Sequence, residues 1–279
     1  MRQRGSGQVA QYGLAFTHAL KALGRDLANR RHEPEVRFLS HVLTGAPTCL
    51  HLGASDGRHS FSILKAAPGA RIYAFEPASF DIQALQIGVK MRGLTGRIVP
   101  VQAAVGEAAA ETVLVTPKKK SGKPARAFAF LSAGETDRAD FQGIGHFKES
   151  VRVVRLDDYA FDRIDFIRMD IEGAEYAASK GAMGLLERDR PHMLIEIHSL
   201  LLKQRFNTSA EAVAALYRGL GYRFFAVVGD DVEERRTLEP AGAHGDFFLI
   251  HPARSLPDGP FREAIGRRGA ALEQLRASG

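Results

Sequence analysis

The sequence predicts an α/β fold: a doubly wound, mostly parallel, seven-stranded Rossmann-like sheet with helices on both faces. Two observations predict it. From Thr48 onward, short apolar runs alternate with helical patterns, and a glycine turn follows the first of these runs. Alternation of strand and helix at this spacing favours parallel strands joined by right-handed crossovers. An N-terminal helical extension and an inserted β-hairpin complete the expected architecture.

The individual elements follow from apolar runs and turn residues. In the first half we expect strands at 48–52, 71–75 and 98–102, and helices at about 58–67 and 79–91. In the second half we expect strands at 164–169 and 192–197, helices at 174–186 and 208–220, and a closing antiparallel pair at 221–228 and 246–250. Thr208 or Ser209 is the expected N-cap of the last helix. Between the halves, 112–116 and 151–156 predict the inserted hairpin.

These elements define three segments. We expect an N-terminal helical extension at 1–46, the main domain at 47–252 with an insert at about 107–155, and a basic C-terminal tail at 253–279. In the extension, apolar residues at spacings of three and four predict an amphipathic helix: Tyr12, Phe16, Leu20, Leu23 and Leu27. A second helix is expected at 34–43. Such helices could form the surface of a homodimer.

Charge and composition exclude several classes of protein. The 279 residues carry a net charge of +6, but the first 34 residues hold +4 and the last 29 hold +2, so the body is neutral. No basic stripe with interleaved aromatic residues is present, so no nucleic-acid partner is expected. The single cysteine, Cys49, excludes a disulfide framework and a cysteine-based zinc site. No uncharged apolar run approaches the roughly 20 residues of a membrane span. Charged residues interrupt 9–27, so we expect no signal peptide and a cytoplasmic location.

One basic cluster interrupts the neutral body. Lys118, Lys119, Lys120, Lys123 and Arg126 occur together with two prolines and a glycine, and no acid separates them. A solvated loop and a flexible basic flap that attracts an anionic acceptor both account for the cluster, because charge in a loop steers ligands more than it stabilises a fold.

A glycine turn follows the first predicted strand. The strand delivers the chain to Gly53, where the missing Cβ allows a cofactor to approach the backbone. Gly57 lies four residues on, where the next helix begins and its N–H groups can bind an anion. A requirement for glycine by the turn geometry alone accounts for the pattern equally well.

An acid at the end of the second strand favours nucleotide binding. Glu76 lies 19 residues after Gly57, where an acid can accept both hydroxyls of a ribose. The dinucleotide motif G-x-G-x-x-G is absent, and Asp56 occupies the place where a pyrophosphate would approach. Because S-adenosylmethionine has a ribose and no phosphate, this cofactor fits the pattern better than a dinucleotide does.

Two later strand ends carry further polar side chains. Asp170 and Glu172 follow the strand at 164–169, and His198 follows the strand at 192–197. Ligands of open α/β sheets bind at the carboxyl ends of the strands, so we expect these three side chains in one crevice.

Taken together, these motifs resemble the FkbM family of S-adenosylmethionine-dependent methyltransferases. The matching stretches are 50–57, 73–77, 103–106, 154–159, 165–175 and 194–198. The resemblance implies a class I methyltransferase fold, S-adenosylmethionine as cofactor, and methyl transfer, commonly to a hydroxyl oxygen of a sugar or another small natural-product intermediate.

The resemblance also implies roles for individual residues. Gly53, Ser55 and Gly57 would line the methionine part of the cofactor, Glu76 would hold the ribose, and Ala104 would lie near the adenine. Asp170 would lie beside the methyl donor and the acceptor. The expected cofactor-binding set is His51, Gly53, Ala54, Ser55, Asp56, Gly57, Glu76, Pro77, Ala104 and Asp170.

His51 departs from the family pattern, which has an acid two residues before the first glycine. Its neutral imidazole could accept a hydrogen bond from the cofactor. Alternatively, His51 packs in the core and backbone groups bind the cofactor.

The candidates for catalysis are Asp170, Glu172 and His198. We expect no metal, because Asp170 and Glu172 offer hard oxygen ligands without a clear third one. Two alternatives to the methyltransferase remain: a catalytically inactive S-adenosylmethionine-binding partner subunit, suggested by His51, and an NAD-dependent oxidoreductase.

Overall fold

The computed structural model describes residues 13–24, 34–117, 130–131 and 145–263. Its strands are β1 Thr48–Leu52, β2 Arg71–Phe75, β3 Ile98–Val101, β4 Ala104–Val105, β5 Ala110–Pro117, β6 Phe130–Leu131, β7 His146–Val154, β8 Phe166–Met169, β9 His192–Ile197, β10 Arg223–Val228, β11 Asp231–Arg235 and β12 Gly245–Ile250. Its helices are α1 within 13–24, α2 Arg58–Ala66, α3 Ser79–Met91, α4 Glu175–Lys180, α5 Met183–Asp189, α6 Ser199–Phe206 and α7 Ala210–Gly219.

The main sheet confirms the doubly wound α/β prediction. Its strand order is β11-β10-β12-β9-β8-β1-β2-β3. Strand β1 pairs in parallel with β2 on one side and with β8 on the other. The direction of winding therefore reverses between β1 and β8, which is where open α/β sheets bind their ligands. Strands β10 and β12 are antiparallel, which confirms the predicted closing pair. Strand β12 also pairs antiparallel with β9 and so lies between β9 and β10.

The main sheet has eight strands, where seven were predicted. The additional strand, β11, pairs antiparallel with β10 at the edge of the sheet. A two-residue turn joins them, and Gly229 in that turn has a φ of +57°, a backbone conformation that favours glycine. The strand was missed because its sequence, DVEER, lacks an apolar run.

The insert forms a sheet of its own. Strands β5 and β7 pair antiparallel along their whole shared length, which confirms the predicted hairpin pairing. The short strands β4 and β6 extend the pair into a four-stranded sheet of order β4-β7-β5-β6. The basic cluster at 118–126 joins β5 to β6 in the sequence and lies outside the described residues.

The helix predicted at 174–186 is divided into α4 and α5. A Cβ on Gly181 would overlap the carbonyl oxygen of Gly106, so the chain at this point packs directly against the start of the insert. The carboxylate of Asp157 then accepts hydrogen bonds from the backbone N–H groups of Gly184 (3.0 Å) and Leu185 (2.9 Å) at the start of α5. Two contacts from distant parts of the sequence therefore break the helix.

Three other helical segments can be compared with the predicted ones. The helix expected at 34–43 is present and is a 3-10 helix, Pro34–His41. Helix α6 was not predicted. Helix α7 begins after Ser209, whose side chain accepts a hydrogen bond from the Ala212 N–H, so Ser209 is the N-cap.

The face of the N-terminal helix that is buried differs from the one that was predicted. Small residues face the protein: Ala15 and Ala19 pack against Ala84 and Ile87. Phe16 and Leu20 are 43% and 44% exposed. Tyr12 and Leu27 lie outside the described residues.

The C-terminal segment packs against the sheet as far as residue 263, where the described part ends. Phe261 is fully buried, with its ring 4.9 Å from that of Phe248 and 6.2 Å from that of Phe38. No helix in the described ranges combines the length and apolar character needed to cross a membrane.

The turn after β1 leads to a stability prediction. Gly53 has a φ of +79°, and a Cβ there would overlap the carbonyl oxygen of Asp170. Gly93 has a φ of +66°, but nothing lies within 4 Å of the position of its Cβ. We expect Gly93→Ala to cost about 1 kcal/mol of unfolding free energy through backbone conformation alone. Gly53→Ala should cost about 3 kcal/mol, because the overlap adds to the same backbone cost.

Urea unfolding of the two variants and the wild-type protein measures the difference. Equal losses for Gly53→Ala and Gly93→Ala would contradict the close approach of Gly53 to Asp170.

Candidate active site

A pocket of about 210 Å³ opens at the carboxyl ends of β1, β2 and β8. Its lining includes these members of the predicted set: Gly53, Ser55, Glu76, Pro77, Ala104, Asp170 and Glu172. The other predicted residues, His51, Ala54, Asp56, Gly57 and His198, are not in the lining. The strand ends therefore bring most of the predicted cofactor residues to one pocket.

The glycine turn is fixed to the neighbouring strand by its backbone. The N–H groups of Gly53 and Ala54 both donate to the carbonyl oxygen of Phe75, at 3.0 and 2.9 Å. Gly57 has a φ of +89°, and a Cβ on it would overlap Leu85 of α3. Packing within the protein thus accounts for Gly53 and Gly57, and their conformation also leaves the Ser55 backbone at the pocket wall.

Glu76 links the turn to the pocket. Its Oε2 accepts a hydrogen bond from the Ser55 N–H (2.8 Å), and its Oε1 accepts one from the Ala78 N–H (2.9 Å). Burial raises the pKa of Glu76 to about 8, repulsion from Asp81 adds to the rise, and the two backbone hydrogen bonds oppose it. Each carboxylate oxygen retains acceptor capacity for a ribose hydroxyl.

The pocket is acidic on one side. Glu76, Asp81, Asp170 and Glu172 line it, and Arg58 is the basic residue among its lining residues. This balance attracts a cationic ligand and repels a pyrophosphate.

The wall formed with the insert is apolar. Leu114 of β5 and Leu131 of β6 lie in this wall together with Ala103, Ala104 and Val105. The inserted sheet therefore forms part of the pocket wall and offers a surface suited to a planar, weakly polar group such as adenine.

Asp170 is held by a buried arginine. Nη2 of Arg168, whose side chain is 3% exposed, lies 3.4 Å from Oδ2 of Asp170. Nη1 of the same guanidinium lies 3.5 Å from Oδ1 of Asp246, an ion-pair separation without a hydrogen bond. Burial is the main cause that raises the pKa of Asp170 well above its usual value; Arg168 opposes the rise and Glu196 adds to it.

The turn after Asp170 is tight and well anchored. Glu172 and Gly173 have φ values of +56° and +105°. Oε1 of Glu175 accepts a hydrogen bond from the Gly173 N–H (3.1 Å), and Nη1 of Arg205 donates to the Glu172 carbonyl oxygen (3.1 Å). Burial raises the pKa of Glu172, while Arg205 opposes the rise. Both turn residues are thereby fixed at the edge of the crevice.

His198 lies next to this crevice rather than in the pocket wall. Its Nε2 is 3.6 Å from Oε1 of Glu196, and Glu196 in turn shares a hydrogen bond with Asp170. Interaction with Glu196 raises the pKa of His198. His244, which directly precedes β12, approaches the same carboxylate, with its Nε2 3.5 Å from Oε1 of Glu196.

His51 is a core residue. It is 1% exposed, its Nδ1 lies 2.7 Å from Oγ of Ser60, and its ring is 5.9 Å from that of His59. Burial lowers its pKa well below the usual value, so the imidazole is neutral. Asp56 does not line the pocket, and its Oδ2 lies 2.9 Å from Nε2 of His18 on α1.

Sequence reasoning missed several polar residues around the crevice. The sequence could have indicated Arg168, because a charged residue inside an apolar strand requires a buried partner. It could also have indicated Glu196, because that residue precedes His198 by two residues in an extended segment. Arg205 and His244 gave no signal, because only the folded chain brings them to the site.

The comparison with protein families decides the class of this site. The model of the methyltransferase FkbM domain matches residues 51–224, which is more than half of the chain. The protein belongs to the FkbM methyltransferase family. Its cofactor is S-adenosylmethionine. No curated protein sequence matches this chain significantly.

The solved structures to which this chain is similar include three of low sequence identity. A methyltransferase FkbM from Methylobacillus flagellatus KT aligns with a TM-score of 0.48 and 16% identity over 87% of this chain and 58% of that one. An S-adenosylmethionine-dependent O-methyltransferase from Thermotoga maritima aligns with a TM-score of 0.41 and 8% identity over 84% of this chain and 72% of that one. Fibrillarin from Aeropyrum pernix, in complex with natively bound S-adenosylmethionine, aligns with a TM-score of 0.40 and 13% identity over 74% of this chain and 67% of that one. This chain thus spans less than two thirds of the Methylobacillus protein.

The residues of the pocket fit S-adenosylmethionine. Glu76 is a buried carboxyl group at the pocket wall with acceptor capacity to spare. The acidic side, which includes Asp170, suits a cationic sulfonium, and the apolar wall around Ala104 suits adenine.

The raised pKa of Glu76 predicts a pH-dependent effect of its substitution. The unfolded chain ionises Glu76 near its usual pKa of 4.5, whereas the folded chain does so near 8. Between these values the folded state holds a proton that the unfolded state has lost, so this group destabilises the wild type increasingly as pH rises. Glu76→Gln has no such proton, so its stability relative to wild type should rise by a few kcal/mol between pH 5 and 8.5.

Urea unfolding at several pH values measures this difference, with Glu187→Gln on the exposed face of α5 as the matched control. A constant offset between Glu76→Gln and wild type across the range would contradict the raised pKa.

Proposed function

We propose that this FkbM methyltransferase transfers the methyl group of S-adenosylmethionine to a hydroxyl oxygen of a small molecule, a saccharide or another natural-product intermediate. The observation that carries the proposal is the acidic pocket, which Glu76 after β2 and Asp170 after β8 line from the two strands that flank β1.

Each wall of the pocket binds a different part of the cofactor. The Glu76 carboxylate accepts hydrogen bonds from the two ribose hydroxyls, while Ala104 and its apolar neighbours cover the adenine. The backbone at Gly53 and Ser55 borders the methionine part. Ionised Glu76 is the better acceptor, so affinity should increase as pH rises towards 8.

Methyl transfer requires the acceptor oxygen, the methyl carbon and the sulfur to lie in line. Bound S-adenosylmethionine supplies a methyl group already activated by a positively charged sulfur. Asp170, oriented by Arg168, stabilises positive charge at the strand ends and positions the acceptor. Alignment of this kind is worth roughly 7–11 kcal/mol in favourable cases.

A base must take the proton of the acceptor hydroxyl. Glu172 lies at the pocket edge and has a raised pKa, which brings its carboxylate closer to the working pH of a general base. His198 does not line the pocket; it contacts Glu196, which in turn contacts Asp170. It would accept the proton only from a larger acceptor that extends past Asp170.

We also propose the partners and location that the sequence suggested. The acceptor is anionic or a saccharide and not a nucleic acid, with the basic cluster at 118–126 as its contact. Two copies of the chain pair through the exposed Phe16 and Leu20 of α1, which sedimentation analysis would test. The buried single thiol, Cys49, suits a reducing cytoplasm.

Calorimetry on the purified chain tests cofactor binding. We expect S-adenosylmethionine to bind and NADH not to compete with it, because an acidic pocket repels pyrophosphate. At pH 8.5, where Glu76 is mostly ionised, Glu76→Gln should weaken binding by about 100-fold, the loss expected for hydrogen bonds to a charged acceptor. The matched control Glu187→Gln should bind like wild type. Competition by NADH, or equal affinity of Glu76→Gln, would contradict the proposal.

Turnover with a labelled methyl donor tests the chemistry. A panel pairs hydroxyl acceptors, saccharides and anionic sugars among them, with amine analogues of the same molecules. We expect methylation of hydroxyl acceptors, and we expect Asp170→Asn to reduce turnover at least about 100-fold, because misalignment at the reacting centre carries a cost of that size. Methylation of amines alone would contradict O-methylation. Cofactor binding without turnover on any acceptor would favour an inactive partner subunit.

A further inference from the structure

Strand pairing brings two histidines and a glutamate together beside the crevice. Strands β9 and β12 are antiparallel, and Gly245 pairs with Ile197. The next positions along each strand, His244 and His198, therefore face each other. Glu196 precedes His198 by two residues and points to the same face, so the three side chains converge at the end of the sheet.

The three groups have the separation of metal ligands. Oε1 of Glu196 lies 3.5 Å from Nε2 of His244 and 3.6 Å from Nε2 of His198. One ligand atom from each of the three residues can be chosen so that all three lie within 4.8 Å of one another. Ligands at 2.0–2.1 Å from a tetrahedral zinc ion are about 3.3 Å apart, so small side-chain movements close this site on an ion.

The surroundings are rich in carboxyl groups. Asp170 shares a hydrogen bond with Glu196, and Asp246 pairs with Glu196 across β9 and β12. Glu172 lies close enough to both Glu196 and His198 to interact electrostatically with each. These four carboxylates are accompanied by two buried guanidinium groups, those of Arg168 and Arg205. A divalent cation bound here would favour the ionised form of these carboxyl groups.

We propose that Glu196, His198 and His244 bind one divalent transition-metal ion. Two imidazoles and one carboxylate form a donor set that zinc and iron(II) accept, whereas magnesium and calcium favour oxygen ligands alone. The three side chains leave coordination positions open. His244 is 53% exposed at its side chain, which gives an ion a route from solvent.

The position of the site indicates its use, and this step rests on the proposed methyl transfer. An acceptor hydroxyl that occupies an open position next to Asp170 becomes more acidic, because a metal ion lowers the pKa of a bound O–H group. Its proton passes to Glu172. The oxygen then bonds to the methyl carbon while the carbon–sulfur bond breaks and the sulfur keeps the electron pair.

Zinc titration of the full chain, purified without a histidine tag, tests the site. We expect one zinc ion per chain in competition with a chromophoric chelator, and no displacement by excess magnesium. His198→Gln and His244→Gln should each weaken zinc binding at least about 100-fold, since even the loss of a supporting residue costs 10–100-fold. His146→Gln, a histidine of β7 outside the trio, is the matched control and should bind zinc like wild type.

X-ray absorption of the zinc-loaded protein provides a second readout, and we expect two imidazole ligands and at least one oxygen ligand. No stoichiometric zinc binding, or equal binding by His244→Gln and wild type, would overturn the proposal. Because S-adenosylmethionine calorimetry is done without zinc, failure of the metal site and failure of the proposed function are separate results.

Discussion

The backbone at Gly53 passes so close to the carbonyl oxygen of Asp170 that no side chain fits between them. This approach joins the ends of β1 and β8, the two strands at which the winding of the sheet reverses. The same turn is tied to β2 through the Phe75 carbonyl oxygen. Three strand ends are thus fixed to one another, and the crevice between them takes its shape from that contact.

The position of each polar group in the crevice follows from this arrangement. The turn places the Ser55 N–H where it donates a hydrogen bond to the Glu76 carboxylate. This bond holds the carboxyl group at the pocket wall. On the other side, the tight turn after Asp170 fixes Glu172 through Arg205. Burial raises the pKa of Glu76, Asp170 and Glu172, so the site favours a ligand whose positive charge makes ionisation of these groups easier. A sulfonium carries such a charge, and a pyrophosphate does not.

Local sequence patterns were sufficient for the parallel strands and for Glu76. A strand and the acid that ends it are encoded within a few residues, so neither depends on distant contacts. The break between α4 and α5 could not be predicted in this way, because it results from the approach of Gly181 to Gly106. The burial of His51 likewise depends on Ser60 and His59 of α2. Pairing of Glu196, His198 and His244 requires the register of β9 and β12, which the sequence alone does not reveal.

A crystal structure of the protein with S-adenosylhomocysteine tests the assignment of the pocket most directly. We predict ribose hydroxyls within hydrogen-bonding distance of both Glu76 carboxylate oxygens, adenine against Ala104, and the sulfur facing Asp170. A ligand bound elsewhere, or a ribose held by other groups while Glu76 contacts only the backbone, would contradict it.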